Sequence, residues 1–132
     1  MESERLARLW FEAGRDPDAA RRLKELLHPE IAVALKTEGG EWLHGAEAVS
    51  EFLEQRADAP IYEAIDEVYH PIDEVRVVVE GRLRWMGGHD RMLRDDAAIW
   101  ALEFRDGLLY RSIAVRSVAE AEAVLAVGRS AS

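Results

Sequence analysis

The chain has 132 residues, no cysteine, and a formal net charge of −9 that comes from 26 acidic and 17 basic residues. A chain of this length can bury one core without cross-links, so we expect a single domain over residues 1–132. The absence of cysteine excludes disulfides, thiolate nucleophiles and cysteine-ligated metal sites, and the acidic balance disfavours nucleic acid and anionic membranes as partners. Because no segment is typical of a signal peptide or a membrane span, we expect a soluble, cytoplasmic protein.

The start of the chain has the 3.6-residue period of helices. Ser3 is expected to cap a first helix whose apolar face runs to Ala13. Asp16-Pro17 is expected to start a second helix that continues to His28-Pro29. A pair of helices therefore opens the chain.

From residue 31 onward the predicted elements are mainly strands. A short apolar segment from Ile31 to Thr37 predicts one strand, and a helix is predicted from Gly45 to Ala59. Ser117 and Glu120 form a capping box, which predicts a last helix through Val127. Helices followed by a run of antiparallel strands indicate the α+β class. The period-2 segments predict strands at Tyr62 to Tyr69, Val75 to Met86, Arg91 to Arg105 and Leu108 to Arg116.

The Asp106-Gly107 pair is the strongest hairpin signal in the sequence. As a two-residue loop it would pair Trp100 with Ile113 and Leu102 with Arg111. One face of this hairpin is then apolar, with Arg111 as a polar exception. A one-residue slip would exchange the two faces.

A similar two-residue loop is expected at Gly87-Gly88, where it would pair Val79 with Asp96. Asp96 then joins the apolar face as its second polar exception. The opposite face mixes apolar and charged residues, and a second subunit could cover it. We therefore expect a homodimer that forms through this sheet face.

Four segments together resemble a known family: residues 27–31, 42–49, 99–109 and 116–121. They look like the nuclear transport factor 2-like superfamily, in its SnoaL-like (polyketide-cyclase-like) branch, over nearly the whole chain. The resemblance implies a curved antiparallel sheet that N-terminal helices wrap into a cone, a cystatin-like α+β barrel with an apolar cavity. The family includes isomerases, dehydratases, epoxide hydrolases and polyketide cyclases, as well as members that only bind or dimerise.

Three residues are candidates for catalysis. Asp96, if it faces the cavity, would act as a general acid or base; otherwise it lies at an exposed strand edge. Arg111 would bind a carboxylate or enolate oxygen of a ligand; otherwise it pairs with Glu103 or reaches water with its stem packed on Leu102. His44 would relay a proton at the cavity mouth; otherwise it orients a loop.

Apolar and aromatic side chains are the candidates for substrate binding, although they would equally suit an ordinary core. The four histidines show no metal-ligand spacing, so neither a metal nor a cofactor is expected. The sequence thus predicts a protein that binds a small organic molecule in an apolar cavity, with proton-transfer, isomerase or lyase-type activity on an apolar or polycyclic substrate. The alternative is a non-catalytic module of the same fold that binds a ligand or dimerises. The predicted substrate-binding residues are Trp42, Tyr62, Trp85, Trp100, Leu102 and Ile113.

Overall fold

A computed structural model describes residues 1–13, 18, 24–34, 42–58, 62–86 and 93–130. Within these ranges, the side chains of residues 13, 53, 55–58, 62–63, 85–86, 93–96 and 127–130 lie outside the description. The helices are α1 (Glu2–Ala13), α2 (Ala46–Asp58) and α3 (Val118–Ser130), and a short 3-10 helix spans Lys24–Leu26. The strands are β1 (Leu27–Ala34), β2 (Trp42–His44), β3 (Tyr62–Pro71), β4 (Arg76–Met86), β5 (Leu93–Arg105) and β6 (Leu108–Val115).

The six strands form one sheet in the order β2-β1-β6-β5-β4-β3. Strands β1 and β6 run parallel, and the other neighbouring strands are antiparallel. The predicted α+β class is therefore confirmed, with one parallel pair that makes the sheet mixed. This pair joins the first strand of the chain to the last one, and so holds the two ends of the fold together.

The first helix begins at Glu2 rather than after the predicted cap Ser3. Ser3 is fully buried, and its Oγ donates a 2.7 Å hydrogen bond to the carbonyl oxygen of Asp73. At the helix start, the Glu74 carboxylate accepts a 3.0 Å hydrogen bond from Glu2 N. The predicted role of Ser3 was thus wrong, because its hydroxyl ties α1 to the turn between β3 and β4 instead of capping the helix.

The predicted second helix lies mostly outside the described residues. Its predicted end was wrong, since Leu27 already opens β1 and His28 lies inside that strand. Strand β2 was not predicted, because three residues are too few to show a period. The helix from residue 45 and the strands after it are confirmed, with bounds that move by a few residues.

One face of the sheet, called the inner face here, carries the larger core. Helix α1 covers it with Leu6, Ala7 and Phe11, all of them buried. Alternate positions of the strands supply the other half of this core, as the period of two requires. The buried sheet residues of the inner face are Leu27, Ile31, Val33, Val77, Val79, Leu102, Phe104 and Leu109.

The opposite face, called the outer face here, is covered in its centre by α3. Ala121 and Leu125 of this helix are buried in a second core with Val78, Ala101 and Val115. The sheet residues of this core alternate with those of the inner face, so β4 and β5 bury side chains on both sides. The outer face is therefore covered by a helix of the same chain where the sequence suggested a second subunit.

The capping box predicted at the start of α3 is present in a modified form. Ser117 Oγ accepts a 3.1 Å hydrogen bond from Glu120 N, as predicted. Glu120 Oε2 accepts a 3.1 Å hydrogen bond from Arg116 N, one residue before the cap. Both bonds fix the point where the chain leaves β6 and enters the helix.

The turn between β5 and β6 is the predicted two-residue loop. Asp106 and Gly107 have φ values of 54° and 76°, and Arg105 pairs with Leu108. Directly after this tight turn the register shifts, because Tyr110 has no partner in the ladder. Tyr110 is thus the extra residue of a β-bulge.

This bulge overturns the predicted register of the hairpin. Trp100 pairs with Ala114 instead of Ile113, and Arg111 pairs with Glu103 instead of Leu102. The one-residue shift moves Arg111 and Ile113 from the face of Trp100 to the outer face. Leu109, Ile113 and Val115 keep an unbroken apolar alternation across the bulge, which explains why the sequence of β6 did not reveal it.

The register between β4 and β5 differs from the predicted one. Val79 pairs with Trp100 and Asp96 pairs with Leu83, while the predicted loop at Gly87-Gly88 lies outside the described residues. The predicted pairing of Val79 with Asp96 was therefore wrong. Because the shift is an even number of residues, it leaves the predicted faces of these two strands unchanged.

Candidate functional site

An aromatic group lies at the centre of the inner face. The ring of Phe11 from α1 contacts Trp100 edge-on at 4.9 Å between centroids, and it contacts Tyr69 in the same manner at 6.3 Å. The guanidinium of Arg8 lies 4.3 Å from the centre of the Tyr69 ring. Trp100 and Tyr69 are only half-buried, although both pack against the core. The inner face thus presents aromatic surface that the protein does not fully cover.

Gly81 lets two parts of the sheet approach the Trp100 ring. A Cβ atom at this position would lie 3.3 Å from Cζ3 of Trp100 and 3.1 Å from the carbonyl oxygen of Ile65. It would also lie 3.5 Å from Cα of Glu67. Any larger residue would therefore push the indole away from the sheet or displace the backbone of β3.

A bulge in β3 lies opposite Gly81. Ile65 pairs with Arg82 and Val68 pairs with Glu80, so two residues of β3 face one residue of β4. Asp66, the first of the two, has a φ of 54°. The second is Glu67, whose Oε1 is buried although the residue as a whole is only half-buried. Bulges commonly redirect a side chain at functional sites.

Sequence reasoning missed Glu67, although a signal for it was present. Ala64 before the bulge and Tyr69 after it both pack against the inner-face core. Their separation is odd, so the alternation changes phase between them, as an inserted residue requires.

The register brings several predicted site residues to one end of the inner-face strands. Tyr62 pairs with Trp85, and Asp96 pairs with Leu83 one step further along. Leu102 is fully buried beneath α1. The side chains of Tyr62, Trp85 and Asp96 lie outside the described residues, so the structure gives only their backbone positions.

Two other predicted residues lie on the short edge strand β2. The rings of Trp42 and His44 stack at 6.0 Å with an interplanar angle of 14°. Leu43 between them packs into the inner-face core, so its two neighbours are on the outer side of the strand. Trp42 is 48 % exposed and His44 is also exposed. The structure therefore separates these rings from Trp100.

Arg111 belongs to a buried charge network on the outer face. Its Nε donates a 2.7 Å hydrogen bond to Oε1 of Glu103, and the Glu103 side chain is only 3 % exposed. Nη2 of Arg76 approaches the other oxygen of Glu103 at 3.4 Å, and Nη1 of Arg76 lies 2.9 Å from Oδ2 of Asp73. Of the alternatives for Arg111, the structure shows the ion pair with Glu103.

The network also holds α3 and the turn before β4. Nη1 of Arg111 donates a 3.4 Å hydrogen bond to the carbonyl of Val124 in α3. Burial works to raise the pKa of Asp73, but hydrogen bonds from Val75 N and Arg76 N and the charge of the Arg76 guanidinium outweigh it. The pKa of Asp73 therefore lies below its ordinary value. Ile113, the last predicted binding residue, packs beside the network against the α3 core.

In the part of the chain that the structure describes, no group of three or more histidine or acidic side chains is arranged to hold a metal ion. No helix among those residues is both long and apolar enough to cross a membrane.

Comparison with known proteins supports the fold. No protein-family model and no curated protein matches the sequence. Among solved structures, a protein of Xanthomonas campestris provisionally named a polyketide cyclase matches with a TM-score of 0.69 at 19 % identity, over 90 % of this chain and 93 % of that one. An NTF2-like protein of unknown function from Cytophaga hutchinsonii matches with a TM-score of 0.66 at 12 % identity, over 85 % and 93 %.

A third match is an LEH-like epoxide hydrolase of Mycobacterium tuberculosis, with a TM-score of 0.66 at 14 % identity, over 98 % of this chain and 93 % of that one. Similarity at such identities establishes a shared fold and no shared activity. The chain therefore has the nuclear transport factor 2-like fold, and the resemblance seen in the sequence is confirmed at that level.

Proposed function

We propose that the protein binds a small, flat, apolar organic molecule in a cavity on the inner face of the sheet. The observation that carries this proposal is the half-buried Trp100, which lies over Gly81 and against Phe11. Aromatic surface that a core leaves uncovered is typical of small-molecule sites. Two matched structures are named a polyketide cyclase and an epoxide hydrolase, both of which imply small organic substrates for those proteins.

The proposed chemistry is proton transfer, as in an isomerase or a lyase, with Asp96 as the acid–base residue. Position 96 is paired with Leu83 and is separated from Trp100 by an even number of residues on a regular stretch of β5, so strand alternation assigns both positions to the inner face. We assign this role to Asp96 rather than to His44 or Arg111, because those two lie on the outer side of the sheet. Tyr62 and Trp85, which pair with each other at this end of the inner-face strands, complete the proposed binding surface. Leu102 is fully buried and belongs to the core beneath it.

Binding is tested by titrating the protein with the methyl ether of β-naphthol, a flat apolar probe, in a calorimeter. Trp100→Leu removes much of the apolar area that the indole ring would bury against the probe. This change should therefore weaken binding at least about tenfold. The matched change Trp42→Leu on β2 should leave the affinity unaltered. Equal loss in both variants, or no binding to the unmodified protein, would contradict a site on the inner face.

Proton transfer is tested with β-tetralone in deuterium oxide, where nuclear magnetic resonance follows exchange of the acidic C–H hydrogens. Loss of a general base slows such a step by about two to four orders of magnitude, so Asp96→Asn should reduce the protein-catalysed exchange at least about a hundredfold. The neighbouring change Asp95→Asn is the control. If both variants exchange as fast as the unmodified protein, Asp96 is not the base.

The alternative proposal is a dimerisation module that has no catalytic role. It is favoured by exposed apolar side chains at the two edges of the outer face, where Trp42 of β2 is 48 % and Val68 of β3 is 53 % exposed. Light scattering of dilute protein should give twice the chain mass if a homodimer forms through this face, and Val68→Asp should then return a monomer.

A further inference from the structure

We propose that Glu67 contacts the ligand in the inner-face site and selects flat apolar molecules that carry a hydroxyl group. This inference rests on the proposed function, because it assumes that the inner face binds a ligand. It adds a polar contact to the apolar contacts already proposed for the ligand, and neither the sequence nor the fold assigns such a contact to any residue.

The position of Glu67 follows from the β3 bulge. Val68 is exposed and Tyr69 packs into the inner-face core, so the alternation just after the bulge assigns Glu67 to the inner side of the strand. Its buried Oε1 agrees with that assignment, since an outward side chain on an edge strand would reach water. Glu67 is a charged residue on a face whose described sheet side chains are otherwise almost entirely apolar.

Glu67 also lies next to the aromatic group. Its Cα and Cζ3 of Trp100 are both within 3.5 Å of the point where a Gly81 Cβ would stand. A ligand ring that stacks beside the Trp100 indole would therefore place its rim within reach of the Glu67 carboxylate. The absence of a side chain at residue 81 is what allows the bulge and the indole to come so close.

The chemistry of this pair indicates the class of ligand. A carboxylate accepts hydrogen bonds and repels anions, and it forms its strongest neutral contacts with O–H donors. Trp100 and Phe11 favour flat apolar rings. Together they fit an aromatic or polycyclic alcohol better than a carboxylic acid or a phosphate.

The inference is tested by comparing β-naphthol with its methyl ether, which has the same ring system and no hydroxyl donor. A hydrogen bond to a charged acceptor exceeds one to a neutral acceptor by enough to change affinity about tenfold. The unmodified protein should therefore bind β-naphthol about tenfold more tightly than the ether. Glu67→Gln should remove most of this preference while the affinity for the ether, which also reports that the variant is folded, stays the same.

Glu80→Gln is the matched control, because Glu80 lies on the neighbouring strand and its carboxylate pairs with His70 on the outer side, 2.7 Å away. This variant should keep the full preference for β-naphthol. Equal affinity of the unmodified protein for the two probes, or an unchanged preference in Glu67→Gln, would overturn the role of Glu67 and leave the apolar site standing. Failure of both probes to bind would overturn the proposed function and this inference with it.

Discussion

The two faces of the sheet hold charge in different surroundings. On the outer face, Glu103 is buried between Arg76 and Arg111, and each charge has a protein partner within hydrogen-bond distance. On the inner face, Glu67 lies beside the half-buried indole of Trp100. Buried ion pairs are costly to separate, whereas a carboxylate beside aromatic surface can serve a ligand. A buried arginine alone therefore does not mark a binding site.

The outer network has a structural task that follows from its contacts. It joins the turn before β4, the ends of β5 and β6, and the α3 carbonyl of Val124. Two of its nitrogens, Nε of Arg76 and Nη2 of Arg111, are buried without a hydrogen-bond partner among the described atoms. Because these two nitrogens already lack an acceptor, loss of the Glu103 carboxylate that both arginines share should lower the free energy of unfolding substantially.

The largest predicted effect comes from removing that carboxylate. Glu103→Ala leaves two guanidinium groups beneath α3 with no anion between them, and breaking a buried pair in this way lowers the free energy of unfolding by about 3–5 kcal/mol. Urea denaturation followed by circular dichroism measures the change. The affinity for an inner-face ligand should not change in conditions where the variant is folded.

Glu80→Ala is the control on the same sheet. Glu80 pairs with His70, but both side chains are more than 40 % exposed, so the loss should stay below about 1 kcal/mol. Similar destabilisation in the two variants would show that the outer network is no more than a set of surface ion pairs.

The second prediction concerns the inner face. Gly81→Val places a branched side chain 3.1 Å from the carbonyl oxygen of Ile65 and 3.3 Å from the Trp100 ring. Because the carbonyl belongs to backbone that cannot rotate away, we expect a loss of about 1–3 kcal/mol in unfolding free energy. Binding of the naphthyl ether should weaken as the indole is displaced.

Ala97→Val serves as its control, since Ala97 is exposed on the neighbouring strand and pairs with Arg82. Valine is well suited to an exposed strand position, so the change should stay within about 0.5 kcal/mol. If Gly81→Val changes neither stability nor binding, the backbone of β3 and the Trp100 ring can move enough to accommodate the valine.

The features of the fold that could be predicted are those whose sequence pattern extends over many residues. The α+β class and the long strands followed from periods that extend over many residues, and the Asp106-Gly107 turn followed from local chemistry. The faces of β6 could not be predicted in this way, because one extra residue, Tyr110, reverses them. The predicted register therefore puts Arg111 on the same sheet face as Trp100, whereas in the structure it pairs with Glu103 on the opposite face.

The candidate site shows the same limit. Trp100 was identified because aromatic residues on an apolar strand face stand out. Glu67 was missed because a glutamate in a strand usually indicates a solvated position, and only the bulge brings it to the inner face. His44 was predicted at the cavity mouth from its place before a helix, and Trp42 was predicted to line the cavity because it is aromatic. The side on which both residues lie depends on β2, a strand too short to predict.

The smallest predicted effect lies at the turn that connects the two faces. Asp73 accepts hydrogen bonds from Val75 N and Arg76 N at 2.9 and 2.8 Å and pairs with the Arg76 guanidinium, while its carbonyl accepts the bond from Ser3 of α1. Asp73→Asn keeps an oxygen for the backbone bonds and removes only the charge. Because this side chain is 36 % exposed, we expect a loss of at most about 1 kcal/mol at neutral pH.

The pH dependence of that loss identifies its cause. The pKa of Asp73 is lower in the folded protein than its ordinary value of 3.8, so its charge stabilises the fold fully above that value, and the contribution disappears as the pH falls through the folded pKa. Acid unfolding should therefore show the unmodified protein and Asp73→Asn converging below about pH 4, since the other acids titrate alike in both. A difference that persists at low pH would mean that the amide disturbs the turn itself, and that the loss at neutral pH does not come from the charge of Asp73.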